Sequence, residues 1–85
     1  MDIELELFGV LRNLEPDDRM RLSVTGERVA DLRAALVEHA RAHWPRGSET
    51  LLLRCAYATG SAVVRDHNAL PPDGRMAVLP PVSGG

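Results

Sequence analysis

The 85-residue chain contains no lysine, since all ten of its basic residues are arginines. It therefore offers no side-chain amine to acylation, and copies of it cannot be joined to one another through lysine. A single cysteine, Cys55, excludes a disulfide framework and a multi-cysteine metal cluster. One Phe, one Tyr, one Trp and no basic block leave none of the aromatic–basic interleaving that favours nucleic acid. No apolar run approaches the ~20 residues of a membrane span. The opening Met1-Asp2 carries no signal-peptide pattern, so a cytoplasmic protein with no membrane partner is expected. HExxH, nucleophile-elbow and phosphate-loop patterns are missing too, and the chain looks empty as an independent catalyst.

What is present is a soluble composition, 45% apolar with a net charge of −2, long enough for one modest core. Ile3, Leu5 and Leu7 alternate with charged residues, which predicts a strand. A polar turn region from Asn13 to Asp18 precedes a second alternation, Met20, Leu22 and Val24, so the two read as an antiparallel hairpin. The period then changes. Val29, Leu32, Leu36 and Ala40 form a helical stripe, with Thr25 or Gly26 as its expected cap and His43-Trp44-Pro45 as its end. Gly47-Ser48 reads as a loop, and Leu51 to Ala58 as a third, centrally placed strand. Thr59-Gly60-Ser61 turns the chain back through Ala62, Val63 and Val64. Pro71-Pro72-Asp73-Gly74 turns it again into a last strand, Met76 to Leu79.

The expected order is β-β-α-β-β-β, an α+β fold with a mixed sheet of about five strands and one main helix on one face. If the first and last strands are central neighbours, this is the ubiquitin-like β-grasp arrangement. The organisation divides into a globular part, residues 1–79, and an extended tail, residues 80–85.

Few side chains compete for chemistry. Cys55 lies in an apolar run, where a free cysteine behaves as a small hydrophobe. His39 and His43 share a helix face, but only His67 remains as a further histidine ligand, so no metal site is expected. Asp17-Asp18 reads as turn chemistry.

The tail is different. Pro80-Pro81-Val82-Ser83-Gly84-Gly85 places two prolines and two glycines where average usage would put them about once in 10⁵. Proline keeps the exit extended, and glycine, with no Cβ, suits a backbone that enters a narrow channel. Such a tip offers its terminal carboxylate. Attack on an ATP α-phosphate would make that carboxylate an acyl adenylate, which a sulfur or nitrogen nucleophile could then discharge. The chain has no nucleotide-binding motif, so another protein must perform the activation.

These features resemble the ubiquitin-like sulfur carriers, and most closely the small subunits of molybdopterin synthases. The resemblance is carried by the opening strand leading into Phe8-Gly9-Val10-Leu11-Arg12, by Val29-Ala30-Asp31-Leu32, by the Asp73-Gly74 turn and by the last six residues. It implies adenylation of Gly85 by an E1-like adenylyltransferase using ATP, sulfur supplied by a sulfurtransferase, and a C-terminal thiocarboxylate with Gly84 beside it. It further implies a large synthase subunit as partner, into which the tail inserts to give sulfur to precursor Z, making the dithiolene of molybdopterin. By the same match Phe8, Arg12, Leu79, Pro80, Pro81, Val82 and Ser83 would meet that partner, and no cofactor would be bound. Arg75-Met76 stands where the family often has an acidic pair, and Leu79 where it commonly has Phe. A carrier for thiamine, cysteine or secondary-metabolite synthesis, and a ubiquitin-like modifier, are the alternatives.

Overall fold

The first and last strands run side by side, in parallel, at the centre of the sheet. The computed structural model describes residues 1–60 and 62–81, and five strands pair in the order β2-β1-β5-β3-β4. They are β1 (Asp2–Leu7), β2 (Arg19–Ser23), β3 (Ala56–Ala58), β4 (Val63–Val64) and β5 (Arg75–Leu79). Strand β1 pairs antiparallel with β2, placing Ile3 opposite Leu22, and parallel with β5, placing Leu7 opposite Val78. Strand β3 closes the other side of β5, with Tyr57 opposite Val78. This is the β-grasp arrangement expected.

The alternation does its work on one face. Ile3, Leu5, Leu7, Met20, Leu22, Tyr57, Met76 and Val78 all point into the core. The helix α1 (Val29–His43) covers them with Val29, Leu32, Leu36, Val37 and Ala40, its predicted stripe and one flanking residue. Its N-terminus differs from the expected Thr25 or Gly26 cap. Arg28 is the extended residue before the first turn, and the Asp31 carboxylate reaches back to accept the backbone N–H groups of Glu27 (3.1 Å) and Arg28 (3.0 Å). The next two N–H groups, of Val29 and Ala30, donate to the carbonyls of Asn68 and Asp66. The loop after β4 thus completes the cap that Asp31 begins, which is how the helix's orphan donors are satisfied.

Two local readings need correction. Leu51 to Ala58 is not one strand: Ser48–Arg54 is a second helix, α2, and only Ala56–Ala58 is extended. A short apolar run does not distinguish the two periods, and Leu51-Leu52-Leu53 has good helix propensity and no β-branched residue. Leu52 is buried while Leu53 is exposed, a helical division of the run. Ser48, expected in a loop, starts this helix after Gly47, whose φ is +97°. The second correction is at the hairpin, where Gly9–Leu14 forms a 3₁₀ helix anchored by buried Leu11.

Gly26 has a φ of +124°, and a Cβ there would lie 2.4 Å from the Asp31 carboxylate. Gly26→Ala should therefore displace that carboxylate and strain the turn, costing about 1–2 kcal/mol in denaturant unfolding. Gly60→Ala, where a Cβ would meet nothing within 4 Å, should be close to neutral. Equal effects at the two sites would contradict the capping role.

Candidate functional site

The parallel pairing brings the loop after β1 and the exit of β5 to the same end of the sheet. The Phe8 N–H donates to the Val78 carbonyl at 3.3 Å, extending the β1–β5 ladder by one step. Alternation turns Phe8 and Leu79 to the face away from α1. Phe8 is 37% exposed and Leu79 is half-buried. Leu79 in turn lies opposite Ala56, and Ala77 opposite Ala58, which faces Val63 in β4. Phe8, Leu79, these alanines and Val63, which is 66% exposed, make this half of the outer face apolar. A shallow depression of about 250 Å³ lies at its border with the charged half, lined by Phe8, Ala58, Thr59 and Ala77 together with Glu6 and Arg75.

The other half of the outer face is charged. Glu4 stands between Arg21 on β2 and Arg75 on β5, and Glu6 stands opposite Arg19. The Arg21–Glu4 separation is 3.9 Å and both side chains are exposed, so this row shapes the surface more than it stabilises it.

Arg12 lies on the 3₁₀ helix that Phe8 introduces. Its Nε and Nη2 both lie 3.2 Å from Asp18 Oδ2. Asp18 has a φ of +57°, and its carbonyl accepts the Leu7 N–H at 2.8 Å. Asp17-Asp18 is thus turn chemistry, as read, with Asp18 also orienting Arg12.

The chain leaves β5 as Pro80-Pro81, both half-buried. Pro80 lies against Gly9, whose φ is +59°, so tightly that a Cβ on Gly9 would sit 2.7 Å from Pro80 Cγ. Val82, Ser83, Gly84 and Gly85 lie outside the described residues. Periodicity alone does not single out Gly9; a glycine two residues past the end of a strand is the signal that could have done so.

The other polar candidates are drawn into packing. Cys55 is buried between α2 and β3, rather than within a strand, and its thiol donates to the Leu51 carbonyl at 3.3 Å. Burial pushes that thiol up from its ordinary range, with the Arg33 guanidinium opposing the effect. Arg33, which the sequence reading missed, stacks 4.6 Å from the centre of the Tyr57 ring, pairs with Asp66 at 2.9 Å and donates to the Leu53 carbonyl. It ties α1 to α2 and to the loop after β4. The His39 and His43 rings lie 4.6 Å apart, and His39 approaches Glu15 at 3.4 Å. Glu15 accepts the Trp44 indole N–H at 2.8 Å. Among the described residues no three His, Cys, Asp or Glu side chains are placed to hold a metal ion, and no helix is long and apolar enough to cross a membrane.

The model of the ThiS family matches residues 5–85. The chain belongs to the ThiS family. Its structure is similar to that of SAMP1 from Haloferax volcanii, with 26% identity, a TM-score of 0.71 and full coverage of both chains. It is also similar to a chain in the complex of subunits 1 and 2 of molybdopterin-converting factor from Helicobacter pylori, with 22% identity, a TM-score of 0.61 and full coverage of both. That second likeness is one of fold. No curated protein sequence matches significantly. This ThiS-family chain therefore has the ubiquitin-like β-grasp fold of the sulfur carriers.

Adjacent residues test the division of faces. Leu7→Ala, at a position 1% exposed, should cost about 2–5 kcal/mol of stability. Phe8→Ala should cost under about 1 kcal/mol. Similar losses in thermal or denaturant unfolding would show that Phe8 belongs to the core.

Proposed function

We propose that the protein is a sulfur carrier acting as the small subunit of a molybdopterin synthase, with Gly85 as its sulfur-bearing residue. The observation that carries this reading is the family match, which runs through the C-terminal Gly-Gly, on a body whose one cysteine is buried. The Pro-Pro-Val-Ser run before it favours the molybdopterin branch over other sulfur-transfer routes.

The chemistry resides in the tail, and residues 80–85 act as its arm while residues 1–79 act as the docking body. The Gly85 carboxylate attacks the α-phosphorus of ATP on an E1-like enzyme, forming an acyl adenylate and releasing pyrophosphate. A hydrosulfide-level sulfur nucleophile, delivered by a sulfurtransferase, attacks the acyl carbon and expels AMP. The product is a thiocarboxylate. Its sulfur then attacks a carbon of precursor Z held by the large subunit, and the oxygen substituent of that carbon leaves as the C–S bond forms. Water attacks the resulting acyl–sulfur bond, returning the Gly85 carboxylate and leaving sulfur on the acceptor. Gly84 keeps the backbone thin next to the reacting carbon, and the chain itself binds no cofactor.

Docking falls to the surface around the exit. Phe8 and Leu79 supply an apolar centre that a partner can cover, with Arg12 beside it and Pro80 to Ser83 continuing into the partner. Truncating Phe8 or Leu79 to alanine should raise the dissociation constant of the complex with the large subunit about tenfold, as expected for central apolar contacts. Unchanged affinity would move the interface elsewhere.

Intact-mass analysis after incubation with an activating enzyme, ATP and a sulfur donor tests the reading. One oxygen should be replaced by sulfur, and fragmentation should locate it at Gly85, in wild type and in Cys55→Ser alike. Gly84→Val should fold and dock but lose on the order of 10²-fold in yield rate, because a displacement of about 1 Å at the reacting carbon has that cost. Sulfur on Cys55 would refute the mechanism, and a loaded protein that transfers sulfur only to a different acceptor would refute the molybdopterin assignment.

A further inference from the structure

The Gly9–Pro80 contact joins the start of the chain to the start of the tail. Strand β1 ends at Leu7, Phe8 still donates to Val78, and Gly9 then turns away with a φ of +59°. That turn leaves a bare Cα beside the chain's exit. Pro80 occupies the space: its Cγ, Cδ and Cβ lie 2.7, 3.5 and 3.9 Å from where a Cβ on Gly9 would be. Any side chain at position 9 would push the ring aside.

We propose that Gly9 is a positioning residue for the tail, seating Pro80 and so setting the direction in which the chain leaves β5 toward an activating or accepting enzyme. The inference rests on the sulfur-carrier reading and goes beyond it by assigning control of the tail to a residue remote from it in sequence. The reasoning is one of leverage. Each proline fixes its own φ near −65°, so a displacement of the Pro80 ring is passed along Pro81 rather than absorbed. Over two residues at ~3.1 Å each, a turn of about 10° at Pro80 moves the far end of the unit by about 1 Å. A shift of that size at the root of the tail changes the path along which the reacting group is delivered, while the docking centre at Phe8 and Leu79 stays in place.

The test uses ATP–pyrophosphate exchange by an E1-like activating enzyme, which separates docking from carboxylate placement. Gly9→Ala should lower kcat about tenfold and leave KM within about twofold, since only alignment in the reacting complex is disturbed. Pro80→Ala removes Cγ and Cδ but retains Cβ, which relieves the close contact. In that background, Gly9→Ala should cost less than about twofold further, because both changes act through one contact. The wild-type protein should also show a nuclear Overhauser contact between Gly9 Hα and Pro80 Hγ. Equal losses from Gly9→Ala in both backgrounds would assign the effect to strain at a positive φ and overturn the proposal. An unchanged kcat, or absence of the Overhauser contact, would overturn it as well. Failure of the wild-type chain to support exchange would instead overturn the sulfur-carrier reading, while the Overhauser contact reports on the Gly9–Pro80 seat independently.

Discussion

The parallel pairing of β1 with β5 is the constraint on which the rest depends. Parallel neighbours cannot be joined by a tight turn, so everything between Leu7 and Arg75 must form the crossover and return. The helix α1 fills that crossover and buries its stripe on the sheet. The same pairing brings residue 8 and residue 79 together at one end. The consequence is chemical: the segment that leaves the fold last is flanked by the segment that turned away first, and the tail begins on a surface built by both.

A one-helix-layer fold of this size has one buried sheet face and one free face. Here the free face is divided along the central strands. Carboxylates and guanidinium groups alternate across β2, β1 and the start of β5, while Phe8, Leu79, Val63 and three alanines occupy the other half. Flat alanine positions flank Phe8 and Leu79 on the apolar half, and the exposed ion pairs of the charged half add little stability. Several polar side chains are spent on architecture. Cys55 closes the end of α2, Arg33 clamps three elements together, and Glu15 holds the Trp44 indole.

The strands that alternate cleanly, β1, β2 and β5, and the stripe of α1 were legible because one face of each is buried and the other solvated. Leu51-Leu52-Leu53 was not, because three consecutive leucines carry no period. What decides there is tertiary: Leu52 packs against α1, and Arg33 binds the Leu53 carbonyl at the helix end. Asp31 as the capping carboxylate was hidden for a similar reason, since Thr25 is a residue of the usual capping type and Gly26 serves only to make room. At the site, the tail motif and Phe8 stood out in the sequence, but the seating of Pro80 on Gly9 joins positions 71 residues apart. No local pattern encodes such a contact; it follows only from the β1–β5 register.

Under the proposed sulfur-carrier function, the folded body aligns a tail that has no catalytic help of its own. This alignment is tested most directly by comparing sulfur transfer from the full-length thiocarboxylate with transfer from a synthetic Pro80–Gly85 peptide thiocarboxylate at the same concentration and with the same acceptor enzyme. Docking of the body makes delivery of the tail effectively intramolecular, so the full-length chain should be faster by about 10²-fold or more. Equal rates would mean that the tail alone carries recognition, and that the β1–β5 junction does not present it.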